Sequence, residues 1–217
     1  MSQNLLAQNL FALNRRGLLI GSGAVLLTGC SDLIGPSSTP QQLYVLRPTG
    51  GASTAGPKVP WSLTVSTTTT SDHLASSRIA LTQPDNSVDY YANSAWTDHL
   101  PRLVQDALVE GFENSARIEA VSSDSDGFHA DYILQAQIRD FEARYSVPDG
   151  IPTVWVRIEA KLAPSRGREI VGSLNSIHQV AATANSVPAA VEAFNDAMGP
   201  VLSDIVNWTL SQPAPPQ

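Results

Sequence analysis

One cysteine, Cys30, is all the thiol chemistry in 217 residues. An intramolecular disulfide is therefore excluded, and so is a thiolate metal cluster. Basic residues are also scarce: 13 lysines and arginines face 20 acidic residues, giving a formal charge of -7. They cluster nowhere, and an acidic surface repels phosphate backbones, so no nucleic-acid partner is expected. The histidines His73, His99, His129 and His178 lie far apart, and none has the i, i+4 partner of a helical metal pair. They read as surface or hydrogen-bonded side chains. Asp124-Ser125-Asp126-Gly127 is too short for a calcium-binding EF-hand loop and lacks its distal glutamate, so it reads as a turn. Neither a Gly-x-Ser-x-Gly nucleophile elbow nor a phosphate loop is present, and Gly21-Ser22-Gly23 falls inside an N-terminal leader. The expectation is a protein that is not an enzyme, with no catalytic residues, no metal and no cofactor.

What is present begins at the N-terminus. Arg15 and Arg16 precede the apolar run 18–27, which Thr28-Gly29-Cys30 closes. That run is shorter than the roughly 20 apolar residues of a permanent membrane span, so it reads as a removable export signal. Leu27-Thr28-Gly29-Cys30 resembles the bacterial lipobox, which implies that the Cys30 thiol carries the lipid and becomes the first residue of the mature chain. The remaining alternative, a secretory signal that leaves Cys30 free, would strand a lone thiol. Asn14-Arg15-Arg16-Gly17-Leu18-Leu19 also resembles a twin-arginine signal, and both that route and the general secretory route stay open. Processing removes two arginines and no acid, leaving a more acidic chain whose membrane attachment must come from lipid. Ser31 after the cysteine favours the outer membrane by analogy with enterobacterial sorting.

The chain then divides into residues 1–29 as signal peptide, 30–39 as lipidated N-terminus and tether, 40–211 as one folded domain, and 212–217 as a Pro-rich tail. The tether and tail are too poor in apolar residues to order themselves. Within the domain, Trp61, Leu63 and Val65 alternate as a half-buried strand. Strands around Arg78-Ile79-Ala80-Leu81 and Val88-Asp89-Tyr90-Tyr91 flank Pro84-Asp85-Asn86, which suits a hairpin turn. From Trp96 the spacing becomes helical: Trp96, Leu100, Leu103, Val104, Ala107, Leu108 and Phe112 share a face, while Arg102, Gln105, Asp106 and Glu110 fall on a solvated one. Pro101 must sit in the first turn, making Thr97 or Asp98 the expected N-cap.

Residues 130–145 read as a long strand whose alternation slips near Asp140, where a bulge is the least costly repair. Residues 153–162 put Val154, Val156, Ile158, Ala160 and Leu162 inward and Trp155, Arg157, Glu159 and Lys161 outward. A third strand covers 169–180. Their short links require an antiparallel meander. A last helix runs from an N-cap at Ser186, with a kink expected at Gly199-Pro200. The fold class is α+β: an antiparallel sheet with two amphipathic helices packed on one face. Outward Trp155 and Arg157 are the candidate partner-binding residues; packing of Trp155 beneath a loop is the alternative. Tyr90, Tyr91 and Trp96 are expected to pack where the hairpin meets the first helix.

The lipobox ending at Cys30, Leu43-Tyr44-Val45-Leu46, Arg78-Ile79-Ala80, Val88-Asp89-Tyr90-Tyr91-Ala92 with Trp96, Leu100-Pro101 and Ile205-Val206-Asn207-Trp208 together resemble the ABC-type transport auxiliary lipoprotein family. That group includes the paraquat-inducible lipoprotein component. The resemblance spans nearly all of the mature chain and implies a non-enzymatic accessory to an Mce-type ABC system that moves lipids or hydrophobic compounds across a Gram-negative envelope. Its implied partners are an Mce-domain protein and an ABC permease, with a lipid anchor facing the periplasm, and homo-oligomerisation through exposed edges is a further expectation. Two other classes stay open: a structural outer-membrane assembly lipoprotein unrelated to ABC transport, and an envelope hydrolase.

Overall fold

The computed structural model describes residues 40–51, 54–167 and 169–214. The expected signal peptide, Cys30 and the expected tether lie outside them, as do the last residues of the expected tail. Along the described chain run β1 (Gln42–Tyr44), β2 (Val59–Val65), β3 (Arg78–Thr82), β4 (Val88–Trp96), α1 (Leu100–Ser115), β5 (Ile118–Ser123), β6 (Tyr132–Arg144), β7 (Thr153–Pro164), β8 (Gly172–Ala181) and α2 (Val187–Leu210). All strands belong to one eight-stranded sheet.

Strand β6 is the spine. On one side it pairs antiparallel with β7 from Tyr132↔Pro164 to Arg144↔Thr153, and β7 pairs antiparallel with β8. This is the expected meander, and its pairing slips between Ile138 and Asp140, where the sequence alternation breaks. The other side of β6 is divided. Strand β2 lies parallel to its start, Leu63↔Tyr132 to Val65↔Leu134, and β3 lies parallel to its end at Leu81↔Ala143. The sheet thus forks into β2–β5 and β3–β4–β1.

The α+β class and the two helices stand, but the sheet is mixed: β1 with β4, β2 with β5, and β6 with both β2 and β3 are parallel pairs. Parallel neighbours need long crossovers, and these strands meet after intervening elements, which short-link reasoning does not register. Trp96 ends β4 and does not begin the helix. The N-cap is His99, without a side-chain cap bond, so the helix starts one residue later than an Asp98 cap would place it. Strand β5 had no expectation at all, since only Ile118 among its residues is buried.

Both helices cover one face. Helix α2 packs on β7 and β8, and α1 packs on β5, β2 and α2. Under them Val154, Val156, Ile158, Ala160 and Leu162 are fully buried, as are Phe194, Met198, Val201 and Ile205 of α2. Trp96 meets Phe141 and Phe194 edge-on at 6.0 and 5.4 Å, while Phe141 and Phe194 stack at 4.8 Å. This aromatic cluster joins β4, β6 and α2, and its offset and edge-on contacts stabilise beyond area burial alone. Ser186 caps α2 as expected, accepting from the Ala189 N–H.

Helix α2 continues through Gly199-Pro200. Gly199 serves a close approach: a Cβ there would collide with the Thr49 carbonyl oxygen. Thr49 N–H donates to the Asn195 carbonyl at 3.1 Å, and Thr49 Oγ1 donates to Asp196 at 2.7 Å. Pro200 removes one intrahelical donor at this point, and the crossing segment lies against the helix there.

Gln105 also departs from expectation. It is buried, not solvated, and its amide donates to the Val65 carbonyl at 3.0 Å and to Asp124 at 2.9 Å. Asp124 in turn accepts from the Thr67 N–H at 2.7 Å. The Asp124–Asp126 turn is therefore a structural clasp between α1 and the end of β2, closed by a Ser123–Asp126 capping box.

Candidate functional site

The sheet face opposite the helices carries the outward residues of the meander. Because directly opposed residues share a face, the register sets up rows across β6, β7 and β8: Gln137–Glu159–Asn175, Asp140–Arg157–Ile177 and Glu142–Trp155–Gln179. The bulge has a chemical consequence. It places consecutive residues, Arg139 and Asp140, on this same face, where each reaches a different neighbour on β7. Arg139 Nε donates to Glu159 at 3.0 Å, and Asp140 pairs with Arg157.

From these two residues a charge network spreads in both directions. Lys161 meets Glu159 at 3.1 Å. Arg144 meets Asp140 and Glu142, both at 2.7 Å. Glu142 is buried despite facing outward, because Thr82 Oγ1 donates to it at 2.8 Å and Arg144 covers it. Arg139 and Lys161, in that order, hold the Glu159 carboxyl below the usual carboxylate range. Charges locked into mutual pairs are oriented before any partner arrives, which lowers the ordering cost of docking.

Trp155 stands among them, half-buried, with the Arg144 guanidinium 4.2 Å from its ring centroid. A cation over an indole face is attracted by the ring quadrupole. Trp155 and Arg144 line an open cleft of about 720 Å³, whose far wall is the β3–β4 turn with Gln83, Pro84 and Asn86. Asn86 takes a positive φ of 65° in that turn, as the Pro-Asp-Asn signal foreshadowed. Trp155 thus faces a cleft. The structure brings Trp155 and Arg157 into one network; it reveals Arg139, Asp140, Glu142 and Arg144 as its other members. Their common face could have been found from the phase slip at Asp140.

The remaining candidates are dispersed. His73 bonds Ser71, His99 sits beside Asp98, and His178 Nε2 lies 2.9 Å from Asp204. Among the described residues no group of three or more His, Cys, Asp or Glu could hold a metal ion. No helix among them is long and apolar enough to cross a membrane. Trp96 is core, whereas Tyr90 donates to the His73 carbonyl at 3.0 Å and Tyr91 meets Tyr145 Oη at 3.0 Å. Burial, then the bond to Tyr145, pushes the Tyr91 hydroxyl well above the usual tyrosine range.

Comparison with known proteins gives four matches. A family model described as "ABC-type transport auxiliary lipoprotein component" matches residues 44–206. An uncharacterized protein of Bradyrhizobium diazoefficiens is 27% identical over 186 residues, covering 85% of this chain and 49% of that protein. The chain therefore spans about half the length of the curated relative it matches. The crystal structure of protein XCC0632 from Xanthomonas campestris, of the DUF330 family, superposes with a TM-score of 0.72 at 25% identity, covering 78% of this chain and 94% of that one. A second crystal structure, of an uncharacterized protein, gives a TM-score of 0.62 at 16% identity, covering 79% and 99% of the two chains.

Proposed function

Because the chain belongs to the ABC-type transport auxiliary lipoprotein component family, we propose that it is a lipid-anchored, non-enzymatic accessory of an Mce-type ABC system moving lipids or hydrophobic compounds across the envelope. A family of lipoproteins is a cell-envelope family. In this reading Cys30 carries the anchor, the outer membrane holds it, and the folded domain faces the periplasm. The domain works by holding an Mce-domain protein and, through it, the permease.

The observation that carries the reading is the open face of the meander. Strands β6 and β7 present a fixed lattice of paired charges with an aromatic, Trp155, among them, and no helix of the described residues lies over it. Interface hot spots are enriched in Trp and Arg, and complementary charges set partner choice and orientation more than raw affinity. Trp155 and Arg157 are the contacts proposed to matter most.

The test is co-purification of the full lipoprotein with an Mce-domain protein of the same organism. Replacing Trp155 and Arg157 together by alanine should reduce recovery at least tenfold while circular dichroism stays unchanged. Undiminished recovery by a folded variant would place docking on another surface. Absence of any Mce or permease gene nearby, with loss of envelope integrity on deletion, would favour an assembly lipoprotein instead.

A further inference from the structure

Among the described residues strand β8 is the end of the sheet, with β7 as its only strand partner. It is ten residues long, carries no lysine, arginine, acid or proline, and exposes Ile177 at 41%. The sheet's other edge strands are shorter, three residues for β1 and six for β5, and β5 carries Glu119. Exposed edges are normally blunted by brevity, charge, proline or bulges. Strand β8 has none of these devices, which leaves its outer backbone groups open to pairing with another strand.

We propose that a second copy of this chain covers it, through antiparallel pairing of β8 with β8 about a two-fold axis at Ile177. An axis normal to the sheet keeps the open faces of both copies on one side, so opposed residues must share a face and the axis must pass through a residue position. Centring on Ile177 opposes Asn175 with Gln179, Leu174 with Val180, Ser176 with His178, and Ile177 with itself. The central pairings are chemically matched, amide with amide, aliphatic with aliphatic and hydroxyl with imidazole, and at the strand ends the small Ser173 meets the small Ala181. Centring on Ser176 would set Asn175 against Ile177, and centring on His178 would set Ile177 against Gln179, which mismatches polar and apolar groups on the exposed face.

The layer above the sheet permits this arrangement. Helix α2 packs on both β7 and β8, so it lies over their junction. With strands about 4.8 Å apart, the axis brings the two α2 helices to about 10 Å, at the 8–10 Å separation of packed helices. Asp204 of α2 accepts from Ser176 at 2.7 Å and lies 2.9 Å from His178, so the axis also brings the two Asp204 carboxylates near one another, each with a His178 imidazole beside it. This inference does not rest on the transport reading, because it concerns the backbone edge of β8, although Gln179 of that strand also lines the charged cleft.

Cysteine cross-linking of the full lipoprotein in envelope membranes tests both partner and register, with the parent chain, whose one cysteine is Cys30, setting the background. Ile177→Cys should form disulfide-linked dimers on mild oxidation. Asn175→Cys and Gln179→Cys should each fail alone, since like residues then lie about 13 Å apart along the strand, yet should cross-link when the two variants are co-expressed. Failure of Ile177→Cys to exceed background, or equal cross-linking by Asn175→Cys alone, overturns the inference. As a second measurement, light scattering in detergent should give the dimer mass for wild type and half of it for Ile177→Lys with its circular dichroism intact. A wild-type monomer that still co-purifies with its Mce partner would overturn this inference and leave the docking proposal standing.

Discussion

The two faces of β7 are one residue apart and obey different rules. Val154, Val156 and Ile158 point under α2 and are fully buried, while Trp155, Arg157 and Glu159 point the other way and remain half-exposed. The first face is held by area removed from water, a non-directional force that tolerates similar shapes. The second is held by paired charges whose value near solvent is small. A face that contributes little to stability yet is so fully ordered has its specificity available for something other than folding.

The largest expected effect lies on the covered face. Phe194→Ala removes the ring that stacks on Phe141 and meets Trp96 edge-on, and such deletions cost about 3–5 kcal/mol. Ile158→Ala should cost about 2–5 kcal/mol by the same cavity mechanism. Urea unfolding monitored by tryptophan fluorescence measures both; a loss below about 1 kcal/mol for Phe194→Ala would mean that α2 is not part of the core.

On the open face the same measurement should give a much smaller number. Trp155→Ala deletes a half-buried ring and its contact with Arg144, and a cation–π pair at an exposed site contributes about 0.5–1 kcal/mol. A total loss near 1 kcal/mol is expected. A loss as large as that of Ile158→Ala would collapse the distinction between the faces and make Trp155 a core residue.

How much of this could be read in advance follows from the same distinction. The meander was legible because burying one face imposes a two-residue period, and the bulge was legible because a phase slip breaks it. Trp155 and Arg157 were assigned outward by that period alone. Their partners were not, since Asp140–Arg157 and Arg144–Glu142 depend on pairing register and on the bulge putting Arg139 and Asp140 together. Trp96 fell at helical spacing from Leu100 and Leu103 although it closes a strand, because both elements bury their residues into the same core. Gln105 looked solvated since a polar side chain gives no sign of the backbone carbonyl that will accept from it. The parallel pairings β2–β5 and β3–β6 join segments far apart in sequence, and local pattern carries no record of them. Cys30 lies outside the described residues, so its lipidation stands on its sequence context.

The smallest effect is the sharpest probe of the charge lattice. Glu159 sits between Arg139 and Lys161, which hold its carboxyl below the ordinary value near 4.3. A carboxylate depressed in the folded state contributes stability that is present above the unfolded value and is lost as pH falls through the folded one. The pairs that Glu159 makes with Arg139 and Lys161 are therefore intact at neutral pH and weaken only in acid below the ordinary glutamate range. Carboxyl-carbon NMR titration of Glu159 should show a midpoint below that of a free glutamate, moving up in Arg139→Gln and, by a smaller step, in Lys161→Gln. Salt should shift the midpoint the same way, since exposed charges are screened. If Arg139→Gln leaves it unmoved, the pair is a transient surface contact, and the open face is less pre-ordered than the proposed docking requires.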